Sequence, residues 1–170
     1  MCDVNHPMEH LIVYNTRKAI TAIAAACGLM VAAITFAAEK PATSISEVRL
    51  IQPADLAAVV KDSNTPRPLM LHVGFRTMFD QAHIPGSEYA GPGNTAAGLK
   101  GLRERLGNVA KDTDVVLYCG CCPWVRCPNV AAAFEVLQEL GFTNAKVMYI
   151  ADNFGADWVD KGYPTAKSSK

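Results

Sequence analysis

The sequence predicts an α/β fold in which helices flank a mainly parallel sheet. Along residues 48–166, short apolar runs of the kind that form buried strands alternate with amphipathic runs of helical period. Such alternation is typical of parallel α/β domains. The chain is 50% hydrophobic and 19% charged, which supplies a core and excludes a disordered or collagen-like chain. The region shows no internal repeat and has the size of one domain.

The first five predicted elements alternate between strand and helix. The run VRLI at residues 48–51 predicts a strand, and the proline that opens Pro53–Lys61 suits the first turn of a helix. An apolar run with a single histidine predicts a buried strand at residues 69–73. Residues 75–83 include one predicted helical turn, and a Pro-Gly break separates them from an extended piece at residues 88–90.

The remaining five elements show the clearest patterns. Leucines at helical spacing predict a helix over Ala96–Leu106, and VVLY at Val115–Tyr118 is the most continuous strand pattern in the chain. The run VAAAFEVLQEL at residues 130–140 predicts a helix that ends at a glycine. A strand at residues 146–150 and a short helix at residues 154–161 complete the domain.

The first 37 residues have the pattern of an export signal. Residues 19–36 carry no charge, follow the basic pair Arg17-Lys18 and lead into small residues. This order is typical of a secretory signal peptide. An uncleaved N-terminal anchor is the alternative, because the 18 apolar residues just reach the length that spans a bilayer. We therefore expect an exported, periplasmic protein, or one anchored in the membrane and facing the periplasm.

The rest of the chain is electrically neutral. After residues 1–37, a polar lead-in at residues 38–47 precedes the domain at residues 48–166, and 14 basic and 14 acidic side chains remain. Nucleic acids and acidic membranes are normally met by a basic excess. We therefore expect no nucleic-acid partner, and membrane contact only through an uncleaved N-terminal segment.

Four of the six cysteines lie within nine residues: Cys119, Cys121, Cys122 and Cys127. A disulfide framework joins distant segments, whereas cysteines this close together close only tiny loops. We therefore interpret these four residues, called here the thiol cluster, as a functional site.

Cys119 is the first residue after the strand Val115–Tyr118. Functional groups of parallel α/β folds lie beyond the carboxyl ends of strands. A thiolate there meets the N–H groups of the loop and the positive end of the next helix, and the Arg126 guanidinium would add to this field. We therefore predict a lowered pKa for the Cys119 thiol.

Three features of the chain resemble the rhodanese-like sulfurtransferases. Residues 69–87 (LMLHVGFRTMFDQAHIPGS) look like the family's strand, turn and HIPG signature. The junction VVLYC with ELGF at residues 139–142, and the tail W-x-x-x-G-x-P at residues 158–164, are also similar. The resemblance covers residues 48–166 and implies a three-layer sandwich with a mainly parallel central sheet flanked by helices.

Departures from the family pattern leave two candidate nucleophiles. The family usually has Asp and Arg where this chain has His72 and Gly74, and its Cys-x4-Arg loop runs straight into a helix that begins several residues later here. Alignment on the strand makes Cys119 the nucleophile, and we favour it because the sheet fixes a strand end. Alignment on the Cys-x4-Arg spacing makes Cys121 the nucleophile beside Arg126.

The resemblance implies covalent sulfur transfer in two half-reactions. The Cys119 thiolate would attack a sulfane sulfur donor, hold the sulfur as a persulfide and release it to a thiophilic acceptor. Loop amides and Arg126 would neutralise an anionic donor. The substrate-binding loop would comprise Gly120, Pro123, Trp124 and Val125.

The expected partners are a small sulfur-containing anion or persulfide as donor and a thiol, which could belong to a protein, as acceptor. We expect no cofactor and no metal. A neighbouring thiol, Cys121, Cys122 or Cys127, could resolve the persulfide as a disulfide. The additional thiols therefore favour relay or redox work over simple thiosulfate chemistry.

Three alternatives use the same cysteines. The C-x-x-C of Cys119 and Cys122 could serve a disulfide oxidoreductase, although the thioredoxin context is absent. Soft thiolates could bind zinc or copper(I), although ligands on one short loop make an awkward tetrahedron. A non-catalytic rhodanese-like binding module could form two small disulfides. Metal content and a free-thiol count separate these alternatives.

Three further side chains have structural interpretations. We predict that His72 is a core or strand-end residue whose ring is satisfied by hydrogen bonds, and that His83 fixes the turn before Ile-Pro-Gly. Trp124 either covers the sulfur site or packs the loop.

Overall fold

A computed structural model describes residues 42–168 of the chain. The predicted signal or anchor at residues 1–37 lies outside the described residues, as does the start of the polar lead-in. Within residues 42–168, none of the helices has both the length and the apolar composition needed to cross a bilayer.

Five strands form one sheet in which every pairing is parallel, in the spatial order β1-β5-β4-β2-β3. The strands are β1 Leu50–Ile51, β2 Leu69–His72, β3 Glu88–Tyr89, β4 Val115–Tyr118 and β5 Ala145–Met148. Central β4 is buried at all four residues. A strand covered on both faces needs apolar side chains on both, which is why β4 is a continuous apolar run.

Four α-helices lie between the strands. Three were predicted to within about two residues, the usual precision for helix ends, and the helix at residues 76–81 lies where the sequence predicted a single helical turn. The helices are α1 Pro53–Lys61, α2 Arg76–Gln81, α3 Ala96–Leu106 and α4 Asn129–Glu139. Helix α3 begins where the Thr95 side chain accepts the N–H of Gly98, as a residue capping a helix N-terminus does.

The core is divided by the sheet into two halves, which confirms the predicted three-layer sandwich. Alternate residues of β4 face opposite sides: Val115 and Leu117 pack with α3 and α4, whereas Val116 and Tyr118 pack with α1 and with Trp158. A period of two residues is what a strand requires.

The ends of the predicted domain differ from expectation. Residues Glu47–Arg49 form a 3₁₀ turn rather than the start of β1, and Val48 is 79% exposed. In the polar lead-in, Ala42 and Ile45 are buried in the core. The final predicted helix is a π-helical turn, Gly155–Val159, which carries the buried Trp158.

Candidate active site

The loop at residues 119–128 leaves the carboxyl end of β4, as the sequence predicted, and its first turn depends on Gly120. This residue has a φ of +79°, and a Cβ added to it would lie 2.5 Å from Cβ of Phe154. Its carbonyl accepts the Phe154 N–H at 3.0 Å. Only glycine adopts this conformation here without strain and without collision.

The thiol cluster is a chain of reduced sulfurs centred on Cys121. Cys119 Sγ donates to Cys121 Sγ at 3.2 Å, and Cys122 Sγ lies 3.2 Å from Cys121 Sγ on the other side. Cys119 is 1% exposed and Cys127 is 4% exposed, whereas Cys121 and Cys122 are only partly buried. Cys121 is thus a partly exposed residue whose sulfur contacts a buried thiol.

Asn129, the first residue of α4, is fully buried beneath these sulfurs. Its Nδ2 donates to Cys119 Sγ at 3.4 Å and to Cys121 Sγ at 3.5 Å, while its Oδ1 accepts the N–H of Asn94 at 3.1 Å. The contact with Asn94 fixes which end of the amide faces the sulfurs. Asn129 was not among the predicted site residues, although its position at a helix start directly after the loop was a usable signal.

The hydrogen bonds decide which thiol ionises first. Side-chain hydrogen bonds from Cys119 and then from Cys127 hold the pKa of Cys121 far below its usual range. Donation to Cys121, the contact with Cys127, and burial raise the pKa of Cys119. A cluster of close thiols places a first negative charge on the sulfur that accepts the most hydrogen bonds. These hydrogen bonds therefore contradict the predicted lowering of the Cys119 pKa and favour ionisation at Cys121.

Replacing Asn129 by leucine should raise the pH at which Cys121 becomes open to alkylation by about one to two pH units, because a hydrogen bond to a charged group contributes about 1.5–3 kcal/mol. The rate with iodoacetamide, followed by mass spectrometry between pH 4 and pH 9, measures this effect. Gln138→Leu is the matched control, since Gln138 is an exposed amide on the same helix. Equal rates for the two variants would remove Asn129 from the site.

His72 supports the loop from β2, and its predicted satisfied ring is confirmed. Its Nδ1 accepts the Gly74 N–H at 3.3 Å, so Nε2 carries the proton and donates to the Cys119 carbonyl at 3.1 Å. His83 lies in the predicted turn with Nδ1 2.7 Å from the Phe79 carbonyl. Both rings are buried, and each holds a backbone carbonyl at hydrogen-bond distance.

Burial makes His72 a source of acid sensitivity, since it lowers the pKa of this histidine from 6.5 to about 4. The unfolded chain binds the His72 proton below pH 6.5, and the folded chain only below about pH 4. The free energy of unfolding should therefore fall between pH 6.5 and pH 4, by up to roughly 3 kcal/mol. Urea unfolding across this range measures the slope, which His72→Gln should flatten; an equal slope in that variant would contradict the assignment.

A cavity of about 140 Å³ lies beside Cys119. Its walls come from β2, from α2 with the residue after it, and from the π-helical turn, and they contain no lysine or arginine. The other lining residues are His72, Met78, Gln81, Ala82, Phe154, Gly155 and Val159.

The structure places the other predicted loop residues away from this cavity. Trp124–Arg126 is a 3₁₀ turn in which Trp124 is buried with its ring 5.3 Å from that of Tyr149, so Trp124 packs the loop. Val125 is 64% exposed and Pro123 is partly buried. The Arg126 side chain is exposed, and among the described residues no hydrogen bond or ion pair joins it to a thiol. No contact among the described residues therefore supports the expected effect of the Arg126 charge on Cys119.

Comparison with solved structures gives matches to rhodanese-like domains. The solution structure of the rhodanese-like domain of the Alr3790 protein from Anabaena sp. superimposes with a TM-score of 0.52 at 20% identity, covering 71% of this chain and 80% of that one. A crystal structure of the Alr3790 protein gives a TM-score of 0.53 at 18% identity, covering 69% and 82%.

No protein-family model matches the sequence, and no curated protein matches it. The structural likeness therefore rests on the order and pairing of strands and helices. The described part of this chain has the rhodanese-like fold, as the resemblance of its sequence implied.

Proposed function

We propose that the chain is a sulfurtransferase that carries sulfane sulfur as a persulfide on Cys121. The observation that carries the proposal is that Cys121 Sγ accepts hydrogen bonds from its neighbours and that Cys121 is partly exposed. A thiolate is the nucleophilic form of cysteine, and substrate must be able to approach it. Cys119, favoured from the sequence, is 1% exposed and serves in this proposal as a hydrogen-bond donor.

The reaction has two half-reactions. The Cys121 thiolate attacks the outer sulfur of a persulfide R–S–SH, the S–S bond breaks, R–S⁻ leaves, and the enzyme becomes Cys121–S–SH. A second thiolate then attacks the outer sulfur, takes it as its own persulfide and restores the Cys121 thiolate. The Asn129 amide donates to Cys121 Sγ and stabilises the negative charge whenever this sulfur is a thiolate.

Neighbouring thiols offer a second outcome for the bound sulfur. Cys122 Sγ lies 3.2 Å from Cys121 Sγ. Attack by the Cys122 thiolate on Cys121 Sγ would form a disulfide and release HS⁻, so the chain would supply sulfide and stay oxidised until reduced. Cys119 lies at the same distance but is buried.

Among the described residues no lysine or arginine side chain hydrogen-bonds a thiol of the cluster, which favours an uncharged or organic donor over the thiosulfate dianion. We expect turnover with the persulfide of a small organic thiol to exceed turnover with thiosulfate by about tenfold or more at equal concentration, as about 1.4 kcal/mol of transition-state free energy would give. Sulfide release and acceptor persulfidation measure both rates. A preference for thiosulfate would contradict this assignment of donor class.

The mass of the chain after treatment with a persulfide donor tests the proposal directly. One added sulfur atom, removable by dithiothreitol and located on Cys121 by peptide mapping, is expected. Four single Cys→Ser variants compare the candidates, and only Cys121→Ser should fail to gain the sulfur. Gain by every variant, or by none including the parent chain, would favour a non-catalytic binding module.

A further inference from the structure

Three of the four sulfurs in the loop form a triangle. The Sγ atoms of Cys119, Cys121 and Cys127 all lie within 4.8 Å of one another. An ion bound about 2.3 Å from each of three sulfurs in a plane holds those sulfurs about 4 Å apart. The triangle therefore needs only small side-chain movements to enclose one ion, chiefly a widening of the 3.2 Å contact between Cys119 and Cys121.

The fourth thiol is not a member of the triangle. Cys122 Sγ lies 3.2 Å from Cys121 Sγ but outside the three-sulfur group, and it donates to the Arg126 carbonyl at 3.5 Å. Zinc in structural sites takes four ligands in a tetrahedron. A donor set of three thiolates, with no carboxylate or imidazole in the group, instead suits a soft ion of low coordination number.

The groups around the triangle are those that support thiolate ligands. The Asn129 amide donates to two of the sulfurs, and the third belongs to Cys127, two residues before α4 begins. Such outer contacts orient the ligands of a metal and stabilise their charge. Cys119 and Cys127 are buried while Cys121 is partly exposed, so an ion could enter through Cys121.

We propose that Cys119, Cys121 and Cys127 bind one copper(I) ion as a three-thiolate site. Loading displaces the thiol protons and occupies the sulfur that would otherwise carry a persulfide. Copper binding and sulfur transfer therefore exclude one another on the same chain. Copper binding can be measured separately from the proposed transferase activity, since binding requires no sulfur donor.

Anaerobic titration of the full chain with copper(I), in competition with a bathocuproine chelator, tests the proposal. One ion per chain is expected, and Cys119→Ser, Cys121→Ser and Cys127→Ser should each weaken binding by about a hundredfold or more. Cys122→Ser is the matched control and should keep the parent affinity. The triple variant of Cys119, Cys121 and Cys127 measures any background from Cys2 and Cys27.

Binding by the triple variant equal to that of the parent chain would overturn the proposal, and so would an equal loss in Cys122→Ser. Because a buried substitution such as Cys119→Ser could disturb folding, X-ray absorption on the copper-loaded parent chain provides a second measurement. Three sulfur neighbours and no nitrogen are expected. Four sulfurs, or any nitrogen neighbour, would contradict the three-thiolate site whatever the variants do.

Discussion

Replacing Cys121 by serine is expected to lower the rate of sulfur transfer by about a thousandfold or more, because loss of the nucleophile in covalent catalysis removes the reaction path itself. A hydroxyl group stays protonated at neutral pH and forms no persulfide. The serine still fits the partly exposed position, so the fold should be retained. Steady-state transfer from a persulfide donor to a thiol acceptor, with circular dichroism as the check on folding, measures the effect.

The comparison of Cys121→Ser with Cys119→Ser separates the two alignments that the sequence allows. If the strand end sets the nucleophile, Cys119→Ser loses all transfer and Cys121→Ser keeps part of it. If the accessible, hydrogen-bonded thiol is the nucleophile, the loss is complete in Cys121→Ser. Val48→Ser provides the control for handling and purity, because Val48 is 79% exposed and lies in the 3₁₀ turn Glu47–Arg49, outside the thiol loop.

Replacing Trp158 by alanine should reduce the free energy of unfolding by about 3–5 kcal/mol, the usual cost of truncating a buried aromatic residue to alanine. Trp158 is fully buried, stacks on Phe154 at 5.8 Å and meets the Tyr163 ring edge-on at 5.2 Å. Its Nε1 donates to the Pro164 carbonyl at 2.8 Å, which would lose this partner.

Urea unfolding followed by circular dichroism measures the loss. Val159→Ala is the control, because Val159 follows Trp158 in the same π-helical turn and is 40% exposed. We expect a change within about 0.5 kcal/mol for a side chain of this kind at the surface. A loss below about 1 kcal/mol in Trp158→Ala would mean that the tail does not hold the domain together.

The architecture could be predicted because its signals are local. The central strand Val115–Tyr118 is buried on both faces and must therefore be apolar throughout, whatever its neighbours are. The start of the edge strand β1 was predicted less accurately from the sequence. It pairs through only two residues, and the exposed Val48 before it carries a β-branched side chain for which no sheet partner exists.

The site could be predicted only as far as the loop. That the cysteines follow β4 is a property of sequence order, but the rank of their acidities depends on which sulfur accepts hydrogen bonds. That pattern arises from the turn at Gly120 and from the 3₁₀ turn Trp124–Arg126, which brings Cys127 back toward Cys121. A tetrahedral metal site would need four thiolate ligands from one short loop, whereas the folded loop brings only three of its sulfurs together.

The hydrogen bond from the Phe154 N–H to the Gly120 carbonyl ties the thiol loop to the wall of the cavity beside it. The backbone between Cys119 and Cys121 is therefore held in part by a residue of the cavity wall, so a molecule that fills the cavity would also contact the residue that holds the thiol loop.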